Sequence, residues 1–385
     1  MLSPSEKQDK LIRATDLDAL SCRYSSNSLS YFVPPDPFIN ELVSSYQTYL
    51  QYSTGYSSLS AGRVLRSVLN KKLPLINKGT YLRTIAIDLV VEDFIQEFKN
   101  CQIISLGGGS DTRCFRVLNK HKSGVVYHEI DFPESVKIKK LAISKSKQLQ
   151  RIVNCSDNDI VDVASKEQFE KVSPGMHSDR YHLSAYDLRT LSMESDEGRA
   201  LLATVDANLP TLVLSECVLC YMAPDENELV LKFWKSVIKN LLAFIIYEPM
   251  SLNDAFGDTM TRNLQERGIN LLTFNHFPNL ASRQEFLSGK CGLSNVKLSD
   301  MSDIAGYNSM SEAPMKPWIP AEELKRISRL EMIDEVEEIR LLLEHYCLCY
   351  GEFCGSLQSV TFKGIDNYRW LIPDVKCSDN GNKST

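Results

Sequence analysis

The chain has 385 residues, of which 24% are charged and 43% hydrophobic, and its formal net charge is −6. This length allows one elaborated domain or two, with enough apolar residues for a large core. The acidic balance leaves no broad basic face, which argues against nucleic acid as the main partner, so an anionic ligand would need a locally basic pocket.

The first elements along the chain are helical. Residues 1–14 are polar and lack the apolar core of a signal peptide, so we expect them to be disordered. Residues 15–98 carry apolar side chains at positions i, i+3 and i+4, the period of an amphipathic helix. They predict a helical layer, or cap, that precedes the rest of the fold.

Strand patterns begin after this helical layer. They fall at residues 102–106, 125–130, 181–185, 211–215 and 243–247. Helical patterns lie between most of them, which is typical of a mostly parallel sheet with helices on both faces. Residues 144–178 are charged and serine-rich, and they predict a helix followed by a surface excursion.

The end of the chain predicts one more helix and an antiparallel element. Residues 331–346 read as an amphipathic helix with a solvated acidic face. Residues 347–350 and 359–362 then flank a glycine-containing turn, so we expect an antiparallel strand or hairpin to close the sheet. The small polar residues 375–385 are expected to be disordered.

These elements predict an α/β protein with a single domain at residues 15–374. Within it, residues 15–98 form the helical cap and residues 99–374 the α/β core. The fold class is Rossmann-like, and we expect the chain to be a monomer.

The most informative motif is a glycine turn after the first predicted strand, where residues 106–113 read LGGGSDTR. Glycine permits positive φ and close approach of the backbone to a ligand, and the helix that follows offers free N–H groups. Asp131 ends the second predicted strand, where an acid accepts hydrogen bonds from ribose hydroxyls. A nicotinamide dehydrogenase usually has a small residue at the position of Thr112, so the pattern favours S-adenosylmethionine.

Further candidate residues follow the other strands, because the carboxyl ends of parallel strands open onto one cleft. These positions hold Gly107, Asp131, Asp187 with Leu188, and Glu216. Each acid by itself is more often a helix cap or a solvated loop residue. Together they suit a cationic, adenosine-bearing ligand, with Asp131 at the ribose, Asp187 and Leu188 at the adenine, and Glu216 near the amino group.

The cysteines and histidines indicate no metal site. Eleven cysteines are scattered through apolar segments, which is typical of reduced thiols and predicts a cytoplasmic, or also nuclear, location. Cys217 and Cys220 have C-x-x-C spacing, but no second pair accompanies them, and the six histidines form no H-x-x-x-H pattern. No apolar window reaches membrane length, so we expect no membrane partner.

Seven blocks of the sequence resemble one known family. They are TDLDALSCR at 15–23, GTYLRT at 79–84, LGGGSDTR at 106–113, DFP at 131–133, YDLR at 186–189, LSECVLCYM at 214–222 and HYCLC at 345–349. In this order, from about residue 15 to 350, they look like the leucine carboxyl methyltransferases.

The resemblance implies a class I methyltransferase fold and a reaction. The reaction is methyl transfer from S-adenosylmethionine to the α-carboxylate of the C-terminal leucine of the protein phosphatase 2A catalytic subunit. The methyl ester that forms regulates phosphatase assembly in that family. The tail of the catalytic subunit is therefore the expected partner.

The resemblance also implies that Arg23 and Arg83 hold the cofactor's methionine carboxylate, beside the strand-end residues. A lone arginine in a helical region is usually a surface residue. The position of both in the helical layer nevertheless allows them to reach over the carboxylate, where guanidinium groups pair in a bidentate manner. Two positions depart from the family pattern, since alanine or cysteine is frequent at Gly108 and lysine also occurs at Arg23. We expect neither to abolish binding, because glycine only loosens the turn and arginine keeps the charge.

Methylation of a carboxylate requires no general base, because an α-carboxyl group with a pKa of about 3.5 is already ionised. We therefore expect no acid, base, nucleophile or metal in catalysis. Arg83 and Tyr221 are candidates for orienting the substrate, and a core or rim position is the alternative for Tyr221.

Three other functions stay open at this point. One is a methyltransferase of the same lineage acting on another carboxylate, such as the related enzyme of tRNA wybutosine synthesis. The second is a protein that binds the cofactor and the phosphatase without turnover. The third is a nicotinamide dehydrogenase.

Overall fold

The computed structural model describes residues 4–307, 318–353 and 360–372. Eight strands form its single sheet. They are β1 Cys101–Leu106, β2 Val125–Asp131, β3 Gly175–His177, β4 Tyr181–Ala185, β5 Thr211–Glu216, β6 Leu242–Pro249, β7 Ser294–Asp300 and β8 Tyr346–Phe353. The five strands predicted from the sequence correspond to β1, β2, β4, β5 and β6.

Helices surround this sheet. The first four precede it, and they are α1 Pro4–Ser28, α2 Ile39–Tyr49, α3 Ser58–Val68 and α4 Pro74–Phe98. The others are α5 Arg113–Lys120, α6 Pro133–Lys145, α7 Lys147–Val153, α8 Lys166–Lys171, α9 Asp196–Leu202, α10 Pro224–Val237, α11 Ala255–Glu266, α12 Leu280–Gln284, α13 Met301–Ile304, α14 Ala321–Ile327 and α15 Val336–Glu344. In the described part of the chain, no helix is both long and apolar enough to cross a membrane.

The strand order in the sheet is β3-β4-β2-β1-β5-β6-β8-β7. Strands β4, β2, β1, β5 and β6 run parallel to one another, whereas β3 is antiparallel to β4 and β8 is antiparallel to both β6 and β7. The carboxyl ends of these five strands and of β7, and the amino end of β8, therefore lie at one edge. The predicted fold class, a mostly parallel sheet with an antiparallel C-terminal strand, is confirmed.

The core lies on both faces of the sheet, because successive side chains of a strand point to opposite sides. Ile103 and Leu212 face the cluster that includes Phe94 of the helical cap. Ile104, in contrast, faces the second cluster, in which Trp234 of α10 is fully buried. Helices therefore cover both faces, as the near-continuous apolar strands predict.

Two expectations about the ends of the chain need correction. Residues 4–14 belong to α1 rather than to a disordered segment, because ion pairs hold the polar start of this helix: Asp9 with Arg189 at 2.9 Å and Arg13 with Glu134 at 3.0 Å. Composition alone misses contacts of this kind. Residues 1–3 and 375–385, also expected to be disordered, lie outside the described residues.

The prediction that residues 359–362 form a hairpin with β8 is also wrong. Strand β8 pairs with β7, and residues 360–362 belong to no strand. Position 359 lies outside the described residues. The sequence pattern missed β7 because only Val296 and Leu298 are apolar among its seven residues. The excursion at 144–178 contains the end of α6, the helices α7 and α8, and strand β3. The division into a single domain at residues 15–374 stays a prediction.

Three histidine rings lie next to one another at the β2, β4 and β3 edge of the sheet. The rings of His128 and His182 lie 4.7 Å apart, and those of His177 and His182 5.5 Å apart. His128 is 1% exposed, and neither ring nitrogen has a hydrogen-bond partner among the described residues. Burial, with the neighbouring histidines, lowers the pKa of His128 well below its ordinary value of 6.5.

We predict that His128 makes the protein less stable as the pH falls below about 6.5, because the unfolded state then binds a proton that the folded state rejects. Each such group contributes a slope of about 1.4 kcal/mol per pH unit. Denaturant unfolding of His128→Leu should show a shallower loss of stability between about pH 6.5 and 5 than the parent. The matched control is the exposed His276→Leu, and an equal slope in parent and His128→Leu would contradict the prediction.

Candidate cofactor and substrate cavity

A cavity of about 390 Å³ lies at the sheet edge where the parallel strands end. Its size falls within the range of about 300 to 1,000 Å³ typical of small-molecule sites. Every site residue predicted from the sequence lines it: Arg23, Arg83, Gly107, Asp131, Asp187, Leu188, Glu216 and Tyr221. The parallel topology brings the strand-end residues together, and the helical cap contributes the two arginines.

The glycine turn is tightly packed on all sides. Gly107 has φ +60°, and a Cβ there would lie 2.6 Å from Val218; Gly109 has φ +38°, and a Cβ there would collide with Asp16. A Cβ at Gly108 would lie 2.9 Å from the Glu129 carboxylate. The expectation that Gly108 merely loosens the turn is therefore incomplete, because the glycine also makes room for Glu129.

The Glu129 carboxylate is fixed behind the turn by two buried donors. The ammonium group of Lys139 donates to it at 2.7 Å, and the hydroxyl of Tyr181 at 2.6 Å. Lys139 also donates to the carbonyl of Asp111 at 2.7 Å. A buried charge requires such partners, so this cluster supports the turn from within the core.

Asp131 at the end of β2 faces the cavity and receives two backbone hydrogen bonds. Gly109 N donates to Oδ2 at 2.7 Å and Phe132 N to Oδ1 at 2.6 Å. Burial, with the negative charge of Asp16 as a smaller contribution, raises the pKa of Asp131 to about 6. Each carboxylate oxygen retains acceptor capacity after these bonds, which is what two ribose hydroxyls require.

Asp16 of α1 is a site residue that the sequence analysis did not single out. Its Oδ1 accepts from Ser110 N at 2.8 Å and from Ser110 Oγ at 2.6 Å, and the hydroxyl of Tyr46 donates to Oδ2 at 2.5 Å. Arg23 donates to Ser110 Oγ at 2.8 Å. These bonds join the cap to the glycine turn. The one sequence signal is the position of Asp16 within the block at 15–23, since an acid in a helix is otherwise an ordinary surface residue.

Glu216 at the end of β5 lies between two arginines. Arg83 Nε donates to Oε1 at 2.5 Å, and Arg113 Nη1 to Oε2 at 3.1 Å. Burial acts to raise the pKa of Glu216, but the two guanidinium groups outweigh it and lower the pKa. Arg113 also pairs with Asp111 and, at 2.7 Å, with Asp88.

Sequence analysis missed Arg113 as a site residue, although its side chain is only 3% exposed and lines the cavity. A signal was present. Arg113 is the first residue of α5, and a cation at a helix N-terminus opposes the helix dipole. A cation at the start of a helix needs nearby carboxylates, and Arg113 has three of them: Asp88, Asp111 and Glu216.

Asp187 after β4 is held by its neighbour Arg189, whose Nε and Nη2 donate at 2.9 and 2.6 Å. Burial acts to raise the pKa of Asp187, but the hydrogen bonds from Arg189 prevail and lower it. Arg189 also pairs with Asp9. The carboxylate at the expected adenine end is thus ionised and tied to α1.

The loop that carries Tyr221 is held by a residue that the sequence analysis did not identify. Glu248, fully buried near the end of β6, accepts backbone hydrogen bonds from Val218 N at 3.1 Å, Leu219 N at 2.9 Å and Cys220 N at 2.9 Å. Because Val218 packs on the glycine turn, Glu248 fixes the position of Tyr221 relative to that turn.

The donors and acceptors of the cavity fit S-adenosylmethionine. Asp131 offers acceptors for ribose hydroxyls. Within the described part of the chain, Arg23 Nε is buried without a hydrogen-bond partner, and Arg83 uses only its Nε, so guanidinium N–H groups are available for a carboxylate. Glu216 can accept from an ammonium group in addition to its arginines.

A glycine turn after β1, an acid at the tip of β2 and this strand order define a class I S-adenosylmethionine-dependent methyltransferase. Residues 12–235 match the family model described as leucine carboxyl methyltransferase. The chain belongs to the leucine carboxyl methyltransferase family, and it is an enzyme of that class.

Relatives support this assignment over almost the whole chain. Leucine carboxyl methyltransferase 1 of Debaryomyces hansenii is 59% identical and covers 97% of this chain and 100% of its own length. The protein of the same name from Candida albicans is 52% identical, with the same coverage. Among solved structures, a putative methyltransferase from Thermobifida fusca aligns with 80% of this chain and 94% of its own, with a TM-score of 0.46 and 12% identity.

We predict that Asp131→Ala weakens binding of S-adenosylmethionine by about 1.5 to 3 kcal/mol, the value of hydrogen bonds to a charged group. Calorimetric titration measures this loss, and the exposed Asp225→Ala is the matched control. In the parent, affinity should fall as the pH drops through about 6, the pKa of Asp131, because protonation removes the charged acceptor. A folded Asp131→Ala variant with unchanged affinity would remove Asp131 from the site.

We also predict that Arg83→Lys binds the cofactor at least about tenfold more weakly, since an ammonium group cannot contact both Glu216 and a ligand carboxylate with a planar fork. Arg83→Ala should bind more weakly still. The control is Arg66→Lys, at an exposed position of α3. If titration places Arg83→Lys level with the parent, Arg83 does not contact the cofactor.

Proposed function

We propose that this enzyme transfers a methyl group from S-adenosylmethionine to the α-carboxylate of the C-terminal leucine of the protein phosphatase 2A catalytic subunit. Family membership supports leucine carboxyl methylation. The phosphatase is the substrate that the resemblance of the seven sequence blocks implies. The ester removes the negative charge of the terminus, and we propose that this change regulates phosphatase assembly.

One observation carries the proposal: a single cavity joins the polar cofactor residues to an apolar end. That end includes Ile76 of α4 and Leu342 and Leu343, in α15. Arg83 lines the same cavity, between the acids of the strand ends and these apolar side chains. A leucine that carries a free carboxylate suits this combination of apolar surface and positive charge in an otherwise acidic chain.

The cofactor, when bound, supplies a methyl group on a positively charged sulfur. The chain's own residues have to hold the acceptor carboxylate in line and exclude water, and positioning of this kind contributes about 7 to 11 kcal/mol. Burial raises the pKa of Cys217 to about 12 and that of Tyr221 well above its usual range, so both stay protonated at neutral pH. Together with the lowered pKa of Glu216, these shifts favour positioning over acid–base catalysis.

We propose the following roles for the residues of the site. Arg23 and Arg83 hold the methionine carboxylate, and Glu216 accepts from the amino group. Asp131 binds the ribose, Asp187 and Leu188 contact the adenine, and Gly107 lets the backbone approach the ligand. Arg83 and Tyr221 also orient the substrate terminus. A monomeric state and a cytoplasmic or nuclear location stay predictions.

The test uses radiolabelled cofactor and three forms of the phosphatase catalytic subunit: intact, with its terminal leucine amidated, and without that leucine. Only the intact form should take up label, and mild base should release it, as expected for an ester. Label on another carboxylate would favour a methyltransferase of the same lineage that acts on a different substrate. Cofactor binding without label would indicate a partner without turnover, and enhanced fluorescence of NADH would favour a dehydrogenase.

A second prediction concerns pH. With cofactor at saturation, kcat should stay constant between about pH 6 and 8, because the attacking carboxylate is ionised throughout and no enzyme base titrates. His128→Ala and Cys217→Ala should keep most of the parent's turnover. A steep loss of activity in a folded form of either variant, or label on an internal side chain of the phosphatase, would overturn the positioning mechanism.

A further inference from the structure

The cofactor residues occupy only part of the sheet edge. Neighbouring strands β4, β2, β1 and β5 contribute the strand-end residues already described, and the next two strands in the sheet are β6 and β8. Tyr247 lies on β6 directly beside Glu216 of β5. Tyr346 begins β8, and because β8 is antiparallel its amino end reaches the same edge. Both tyrosines line the cavity, beyond Glu216 as seen from the glycine turn.

The two tyrosines form one rigid unit. Their rings are stacked with centroids 5.4 Å apart and an interplanar angle of 15°. The guanidinium carbon of Arg83 lies 4.7 Å from the centroid of the Tyr247 ring. The ring of Tyr247 thus contacts a second ring and a cation, and its hydroxyl group is the part that can bind a ligand.

The hydroxyls of the two tyrosines have no hydrogen-bond partner within residues 4–307, 318–353 and 360–372. Tyr247 is nevertheless only 4% exposed. Because both residues line the cavity, each hydroxyl is available to donate a hydrogen bond to a ligand there. Burial raises the pKa of both groups, which keeps them protonated and able to donate.

We propose that Tyr247 and Tyr346 donate hydrogen bonds to the methyl-accepting carboxylate and set its orientation. This inference rests on the proposed function, because it takes the terminal carboxylate as the acceptor. A carboxylate suits this place, since the phenol O–H groups donate and Arg83, which uses its Nε for Glu216, has further N–H groups beside them. The residues proposed for the cofactor's ribose and adenine lie on the other side of Glu216 in the strand order, whereas the tyrosines lie beside Arg83, next to the proposed methionine end of the cofactor. We therefore assign the tyrosines to the substrate.

The test measures binding of the intact and the amidated phosphatase catalytic subunit by calorimetry, with S-adenosylhomocysteine present so that no transfer occurs. The parent should prefer the free carboxylate. Tyr247→Phe and Tyr346→Phe should each reduce that preference by about tenfold, the effect of losing one hydrogen bond to a charged group. Their affinity for S-adenosylmethionine should stay within about twofold of the parent. The matched control is Tyr49→Phe, a buried tyrosine outside the cavity whose hydroxyl also lacks a partner among the described residues.

Three results would overturn the inference: a parent that does not distinguish acid from amide, phenylalanine variants that keep the full preference, or variants that lose cofactor affinity instead. Methyl transfer is assayed separately on the same proteins. A parent that transfers no methyl group refutes the proposed function, while the binding preference still decides the role of the tyrosines. In an active parent, both variants should show a raised KM for the phosphatase with little change in the KM for the cofactor.

Discussion

The largely buried carboxylate of Glu216, whose side chain is 15% exposed, is the charge on which the site depends. It receives Arg83 from the helical cap and Arg113 from the start of α5. An unpaired buried carboxylate costs several kcal/mol, and the two arginines offset that cost only when both layers are in place. The ion pairs therefore couple the docking of the cap onto the sheet to the electrostatics of the cavity.

The glycine turn depends on polar contacts from distant parts of the chain in the same way. Asp16 of the cap binds its outer side, and the Glu129–Lys139 pair supports its inner side. The glycines leave no room for side chains at either contact. The turn is thus held by its surroundings, and its backbone N–H groups and the acceptor Asp131 are fixed before a ligand arrives. Such preorganisation lowers the ordering cost of binding.

An acidic protein can bind an anionic peptide terminus when arginine N–H groups in its cavity stay available to a ligand. Arg23, Arg83 and Arg113 all line the cavity, although the chain carries a net charge of −6. The ionisable groups around them are kept in one protonation state near neutral pH, the thiols and phenols neutral by burial and Glu216 charged by its arginines. This arrangement is suited to orienting a nucleophile that the substrate itself provides.

The five core strands and the acids at their ends could be predicted from the sequence, because apolar runs, glycines and strand-end carboxylates are local signals. The family could also be predicted, through blocks that keep their order. The fold was needed to show that α1 begins at Pro4, that β7 pairs with β8, and that Asp16 and Arg113 line the cavity while Glu248 holds the loop beside it. In each case the stabilising partner lies on another element of the fold, so the pattern around the residue looks like that of an ordinary surface or core position. The energy of these contacts arises from burial and pairing in three dimensions, which no local pattern reports.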